Sequence, residues 1–304
     1  VSEAKLGLRS EELRGALTDA LANRPSRLGE LLARHGGLPG PKPNLALAAA
    51  FGEEIAREGK GARAVLQALR LEPAEADTAR AFLPIAAAFG YVARLGADAQ
   101  DAWHGVFELT ADDRTPVRIG LVAALSAYAA RRSGHVDALI AQADGWLEHD
   151  DRDHVFASQA IALDVIAERR GLEGLEDPGA LLAWLERVIA SVADAPRAFQ
   201  RSPARRKTLA ALPAAVAEAV ASLRGAHDGV AWLTERLQEA EHPDLREAFD
   251  RTIDELRRGS RAQSPSVIEP LREALASSAK PPRDPTLIRE GVRGRGKKNK
   301  RRSR

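Results

Sequence analysis

Three stretches of the chain hold residue types that could do chemistry. "HDDRDH", His149 to His154, places two imidazoles and three carboxylates within six residues. Such groups bind a divalent ion when several converge on one point with supporting hydrogen bonds. The stretch lies between two helical segments, where aspartates serve equally well as helix N-caps. Capping is the expected role, and no metal or cofactor is expected. "RSPARRK", Arg201 to Lys207, is a basic cluster at the start of a helix, where its charge opposes the helix dipole. It is expected to be an exposed loop, with a phosphate-binding surface as the alternative.

The third stretch is the C-terminus. From Arg289 to Arg304 there are nine Lys or Arg and one Glu, a net +8 in a chain of net +2, which leaves −6 on the preceding 288 residues. Arg293, Arg295, Lys297, Lys298, Lys300, Arg301 and Arg302 could release counterions from RNA or DNA and bind it without sequence preference. A solvated terminus with no specific partner is the competing expectation. The preceding "SSAKPPRDPTL" reads as a linker, so residues 279–304 are expected to form a disordered basic tail.

Other chemistry is missing from the pattern. The chain has no cysteine, which excludes disulfides, Fe–S clusters, thiol nucleophiles and Cys-based zinc sites. There is no phosphate loop, dinucleotide fingerprint, GxSxG or HExxH. An enzymatic activity is not expected. The N-terminal "VSEAKLGLRSEELRGAL" has no apolar core of a secretory signal, and no run approaches the ~20 apolar residues of a membrane span. The expectation is a cytoplasmic protein without membrane contact.

The elements that must position these residues are helices. Of the 304 residues 44% are apolar but only 4% aromatic, and the apolar share leans on Ala and Leu, which favour helix and close helix packing. Helical periodicity, broken by Gly, Pro, Asn and Asp, predicts fourteen helices from Ser10–Asn23 to Ser264–Ser277, among them Ala76–Leu95, Thr115–Arg132, Asp153–Arg170 and Pro203–Leu223. Asn44 is placed to cap "LALAAAFGEEIA", and Pro178 to open the helix that follows "ERRGLEGLED". No strand-like alternation interrupts the pattern.

The helices repeat. "DDRTPVRIGLVAAL" from Asp112 returns 38 residues later as "DDRDHVFASQAIAL", with nine identities in the 21 positions from Asp112 to Arg132. Trp146-Leu147 and Trp184-Leu185 keep the same interval, which marks these tryptophans as core positions. Two helices and their turns occupy about this length, and a lone pair cannot bury its apolar stripe without a stacked neighbour.

"DDRTPVRIGLVAALSAYAARR" resembles the second half of a HEAT repeat: a turn Asp, Val-Arg opening the second helix, then small and apolar residues. The resemblance implies an all-α fold, an α-solenoid of stacked antiparallel helix pairs forming a HEAT-like superhelix. It covers residues 98–170 well and 178–258 fairly. The division it implies is an N-terminal helical region at 1–75, either divergent repeats or a cap, repeats at 76–278, and the tail. In that family the turn Asp and the Arg six residues on often form a ladder between repeats, and Asp112 and Arg118 match that pattern. Phe156 replaces the Arg in the second copy.

Function is expected to follow the architecture: a non-catalytic scaffold that binds a protein partner on the second helices of its pairs. Arg118, Arg131, Arg132, Arg169 and Arg170 are the recurrent cations there and the expected partner-binding residues; helix C-terminal charge compensation is the alternative role. Nucleic-acid association through the tail is a second possibility. A third is an enzyme similar to the HEAT-like DNA glycosylases, which use Trp, Asp and Arg on a concave face.

Overall fold

The computed structural model describes residues 9–59, 61–96, 99–168, 170–223, 228–259 and 262–278. Residues 279–304, and with them every expected nucleic-acid contact from Arg293 to Arg302, lie outside the described residues, as does Arg169. The fold is all-α. In chain order the helices are α1 (Ser10–Leu21), α2 (Ser26–His35), α3 (Leu45–Ile55), α4 (Gly61–Arg70), α5 (Phe82–Ala93), α6 (Ala99–Thr110) and α7 (Thr115–Ala129). They continue as α8 (His135–Trp146), α9 (Arg152–Ala167), α10 (Pro178–Ala193), α11 (Pro203–Ser222), α12 (Gly229–Glu239), α13 (Pro243–Arg258) and α14 (Pro265–Ser277). No strand occurs among the described residues.

Local chemistry explains most of these boundaries. The Asn44 side chain accepts from Leu47 N at 3.1 Å and starts α3, and Asp177 caps α10 directly before Pro178. One expected boundary moves. The segment 76–95 is a 3₁₀ turn at Ala79–Ala81 followed by α5 from Phe82. Pro84 sets that start: proline is tolerated in a first turn, but further inside a helix its ring would meet the carbonyl four residues back, here that of Arg80.

Packing follows a regular scheme. Each odd-numbered helix from α3 to α13 packs on the next odd-numbered one, while α8 packs on α10 and α12 on α14. One core runs through these contacts, from Leu13 to Leu275, and takes in the N-terminal helices. Small residues permit the close crossings. A Cβ on Gly120 of α7 would stand 2.5 Å from Ile85 Cγ2 of α5, and one on Gly52 of α3 would stand 2.8 Å from the Phe89 carbonyl. The four tryptophans lie on α6, α8, α10 and α12 and are all buried, as the core assignment of Trp146 and Trp184 requires. Trp184 donates from Nε1 to Gln159 Oε1 at 2.8 Å, and Gln159 donates to the Ala143 carbonyl at 2.8 Å, so this buried polar pair is satisfied.

Arginines tie successive elements through backbone carbonyls. Arg94 donates to Glu58 O (2.6 Å) and Ile55 O beyond and at the end of α3; Arg114 to Ala74 O (2.7 Å) and Glu72 O (2.9 Å); Arg246 to Leu275 O in α14 (2.8 Å). At Ile55 O and Leu275 O a guanidinium suits the position because the last carbonyls of a helix lack intrahelical donors and carry partial negative charge.

Candidate functional site

The helix faces turned away from the core form a groove of about 690 Å³ across α7, α9 and α11. Helical periodicity divides α7: Val117, Leu121, Ala124 and Leu125 are buried in the core, while Arg118, Ile119, Val122 and Ser126 line the groove. Asp164 and Ala167 enter from α9 and Lys207 from α11. Ile119 is 51% exposed, one of two large apolar side chains so exposed among the described residues. Three carboxylates, Asp113, Asp164 and Glu168, face two cations, Arg118 and Lys207, around an apolar floor.

Two ion pairs cross the groove. Lys207 Nζ reaches Asp113 Oδ1 at 2.6 Å, linking α11 to the turn before α7, but Asp113 is solvent-exposed and the bond is a weak tie. Arg118 Nη2 stands 3.5 Å from Asp164 Oδ2, with Arg118 largely buried. Burial pushes the Asp164 carboxyl above the ordinary aspartate range, opposed by the Arg118 charge. Two polar atoms in the wall have no hydrogen-bond partner: Arg118 Nη1 and Ser126 Oγ. A buried donor left unsatisfied costs about 1–3 kcal/mol.

The expected Asp112–Arg118 ladder is not formed. Asp112 is held by Arg114, whose Nη2 lies 2.5 Å from Oδ2 and whose backbone N–H also donates to Oδ1 at 2.9 Å. Being two residues away in the same turn, Arg114 captures the carboxylate, and Arg118 is left to meet Asp164 on α9. Of the expected partner-binding cations among the described residues, only Arg118 lines the groove. Arg131 and Arg132 are exposed in the turn after α7, about 20 Å along the helix from Arg118 at 1.5 Å per residue. Arg170 follows α9 and pairs with Glu173.

"HDDRDH" forms a capping turn. Asp151 accepts from the N–H groups of Asp153 (3.0 Å) and His154 (3.2 Å), and the His154 ring stacks on Phe107 with its Nε2 2.7 Å from the Phe107 carbonyl oxygen. Among the described residues no three His, Asp or Glu side chains gather as a metal site would require. "RSPARRK" departs from its expected exposed loop: Pro203 to Lys207 form the start of α11, and Ser202 and Arg205 are buried. Arg205 is 1% exposed and bonds to Val192 O (3.1 Å), Gln200 O (3.1 Å) and Asp244 Oδ2 (2.7 Å). Its burial follows from register: Arg205, Thr208, Leu212 and Val216 form one buried stripe of α11 at helical spacing.

The chain matches no family model, no curated protein and no solved structure. The geometry alone therefore carries the functional argument. The groove lining contains no histidine and no aromatic ring among the described residues, and it pairs an exposed apolar side chain with an under-used buried guanidinium. That combination suits recognition of a chain segment with apolar and acidic groups. No helix among the described residues is long and apolar enough to cross a membrane.

Proposed function

We propose that this chain is a HEAT-like α-solenoid acting as a non-catalytic binding scaffold, and that the groove across α7, α9 and α11 takes a peptide segment of a protein partner. The helix-on-helix order along the odd-numbered row supports the solenoid reading, because each pair buries the stripe its neighbour leaves open. The observation that carries the binding reading is Arg118: a mostly buried guanidinium with one nitrogen unsatisfied, beside exposed Ile119. An acidic side chain of the partner would accept from Arg118, and an apolar one would cover Ile119 against Val122 and Ala123. Three carboxylates against two cations disfavour the continuous row of charges of a nucleic-acid backbone in this groove far more than a single acidic side chain held at Arg118.

The test is selection of a random-peptide display library on the full chain, repeated on Ile119→Asp. The expected result is enrichment of sequences joining an acidic and a large apolar residue, with affinity for the selected peptide falling about tenfold or more in the variant. Enrichment indifferent to the substitution would place binding elsewhere and contradict the assignment.

A further inference from the structure

A second groove, of about 580 Å³, lies on the other side of α11, between it and α13. Arg201, Arg205, Arg206 and Arg251 line it, against two carboxylates, Asp244 and Glu247. Two of the arginines are already engaged: Arg251 pairs with Glu247 one turn back on α13, and Arg205 binds Asp244 at 2.7 Å. Arg201 and Arg206 are exposed and have no ion-pair partner among the described residues. Behind them, Arg205 is 1% exposed, and its Nη2 is buried without a hydrogen-bond partner. Arg205 is neutralised by Asp244 and Arg251 by Glu247, so the lining keeps a net charge of +2, carried by Arg201 and Arg206.

We propose that this groove binds the phosphate dianion of a small molecule, either free phosphate or a phosphate monoester. Two uncompensated positive charges match a dianion, and planar guanidinium forks present paired N–H donors to phosphate oxygens. The volume falls within the range of small-ligand sites. A nucleic-acid backbone fits less well, because it would have to continue past Lys207 into the first groove, where carboxylates outnumber cations.

Isothermal titration calorimetry of the full chain at near-physiological salt tests this, with AMP, inorganic phosphate and single-stranded oligothymidylate as probes. The comparison protein is Arg201→Ala/Arg206→Ala; both side chains are exposed and have no ion-pair partner among the described residues, so its melting temperature should equal that of the parent, and the C-terminal cations are common to both proteins. The expected result is saturable binding of AMP or phosphate, weakened about tenfold or more in the double variant. AMP binding tighter than phosphate assigns the site to a monoester; equal or tighter phosphate binding assigns it to the free anion. No saturable binding, or equal affinity in the double variant, overturns the proposal. Oligothymidylate bound more tightly than AMP and lost in the variant also overturns it, in favour of nucleic acid.

Discussion

Arg206 and Lys207 are neighbours on α11, yet they face different grooves. On the Lys207 side the groove has an apolar floor, an exposed isoleucine and more carboxylates than cations. On the Arg206 side it has more cations than carboxylates and a buried arginine in its wall. The two are similar in size, about 690 and 580 Å³, so volume does not distinguish them. What distinguishes them is how far each guanidinium is already matched by protein groups. Arg118 has one carboxylate across the groove and a spare nitrogen; Arg201 and Arg206 have no ion pair among the described residues.

Substitutions that break this contrast differ in size. Arg205→Ala should have the largest effect, since it removes bonds to two carbonyls and Asp244 and opens a cavity in the core; about 2–4 kcal/mol of stability should be lost in chemical denaturation. Arg206→Ala, one residue on and exposed, should change stability by less than about 0.5 kcal/mol. Equal effects would mean that Arg205 is not the structural wall of the second groove.

Gly120→Val tests the back of the first groove. The new side chain would meet Ile85, with its Cβ already 2.5 Å from Cγ2, and should cost about 1–3 kcal/mol by overpacking α7 against α5. Ile119→Asp, one residue back on the same helix and exposed, should leave stability within about 0.5 kcal/mol while peptide affinity falls. A large loss of stability there would show Ile119 to be a structural residue.

The smallest effect is a titration. Asp164 should protonate, by NMR of its carboxyl carbon, at a pH above the ordinary aspartate range, because burial opposes its charge. Arg118→Gln should raise the midpoint further, since the Arg118 charge lowers it. With a folded pKa above the unfolded one, the Asp164 contribution favours the fold at acid pH and is lost as pH rises through the folded value. Asp164→Asn should remove that component of the pH dependence. A midpoint in the ordinary range would mean that the groove is wetter than its geometry implies.

The helical elements were largely legible because their ends carry local chemistry: Asn44, Asp177 with Pro178, and Ser202 with Pro203 each act within a turn of the backbone they terminate. The 38-residue interval marked Trp146 and Trp184 as core positions, and both are buried. The grooves were less legible. Whether a cation is free depends on residues distant in sequence, as with Arg118 and Asp164 across two helices, or Arg205 and Asp244 across 39 positions. The burial of Arg205 had a signal in the stripe it shares with Thr208, Leu212 and Val216, but the density of charge in "RSPARRK" concealed it. The displacement of the Asp112 ladder by Arg114 had one too, an arginine two residues from the aspartate.

The most direct test of the binding scaffold is a double-mutant cycle between Arg118→Met and neutralisation of the acidic residue in a peptide selected on the full chain. If the carboxylate accepts from the Arg118 guanidinium, the two changes should be non-additive, with a coupling of about 1–3 kcal/mol. Additive effects would show that Arg118 does not contact the partner and would contradict the placement of the peptide in this groove.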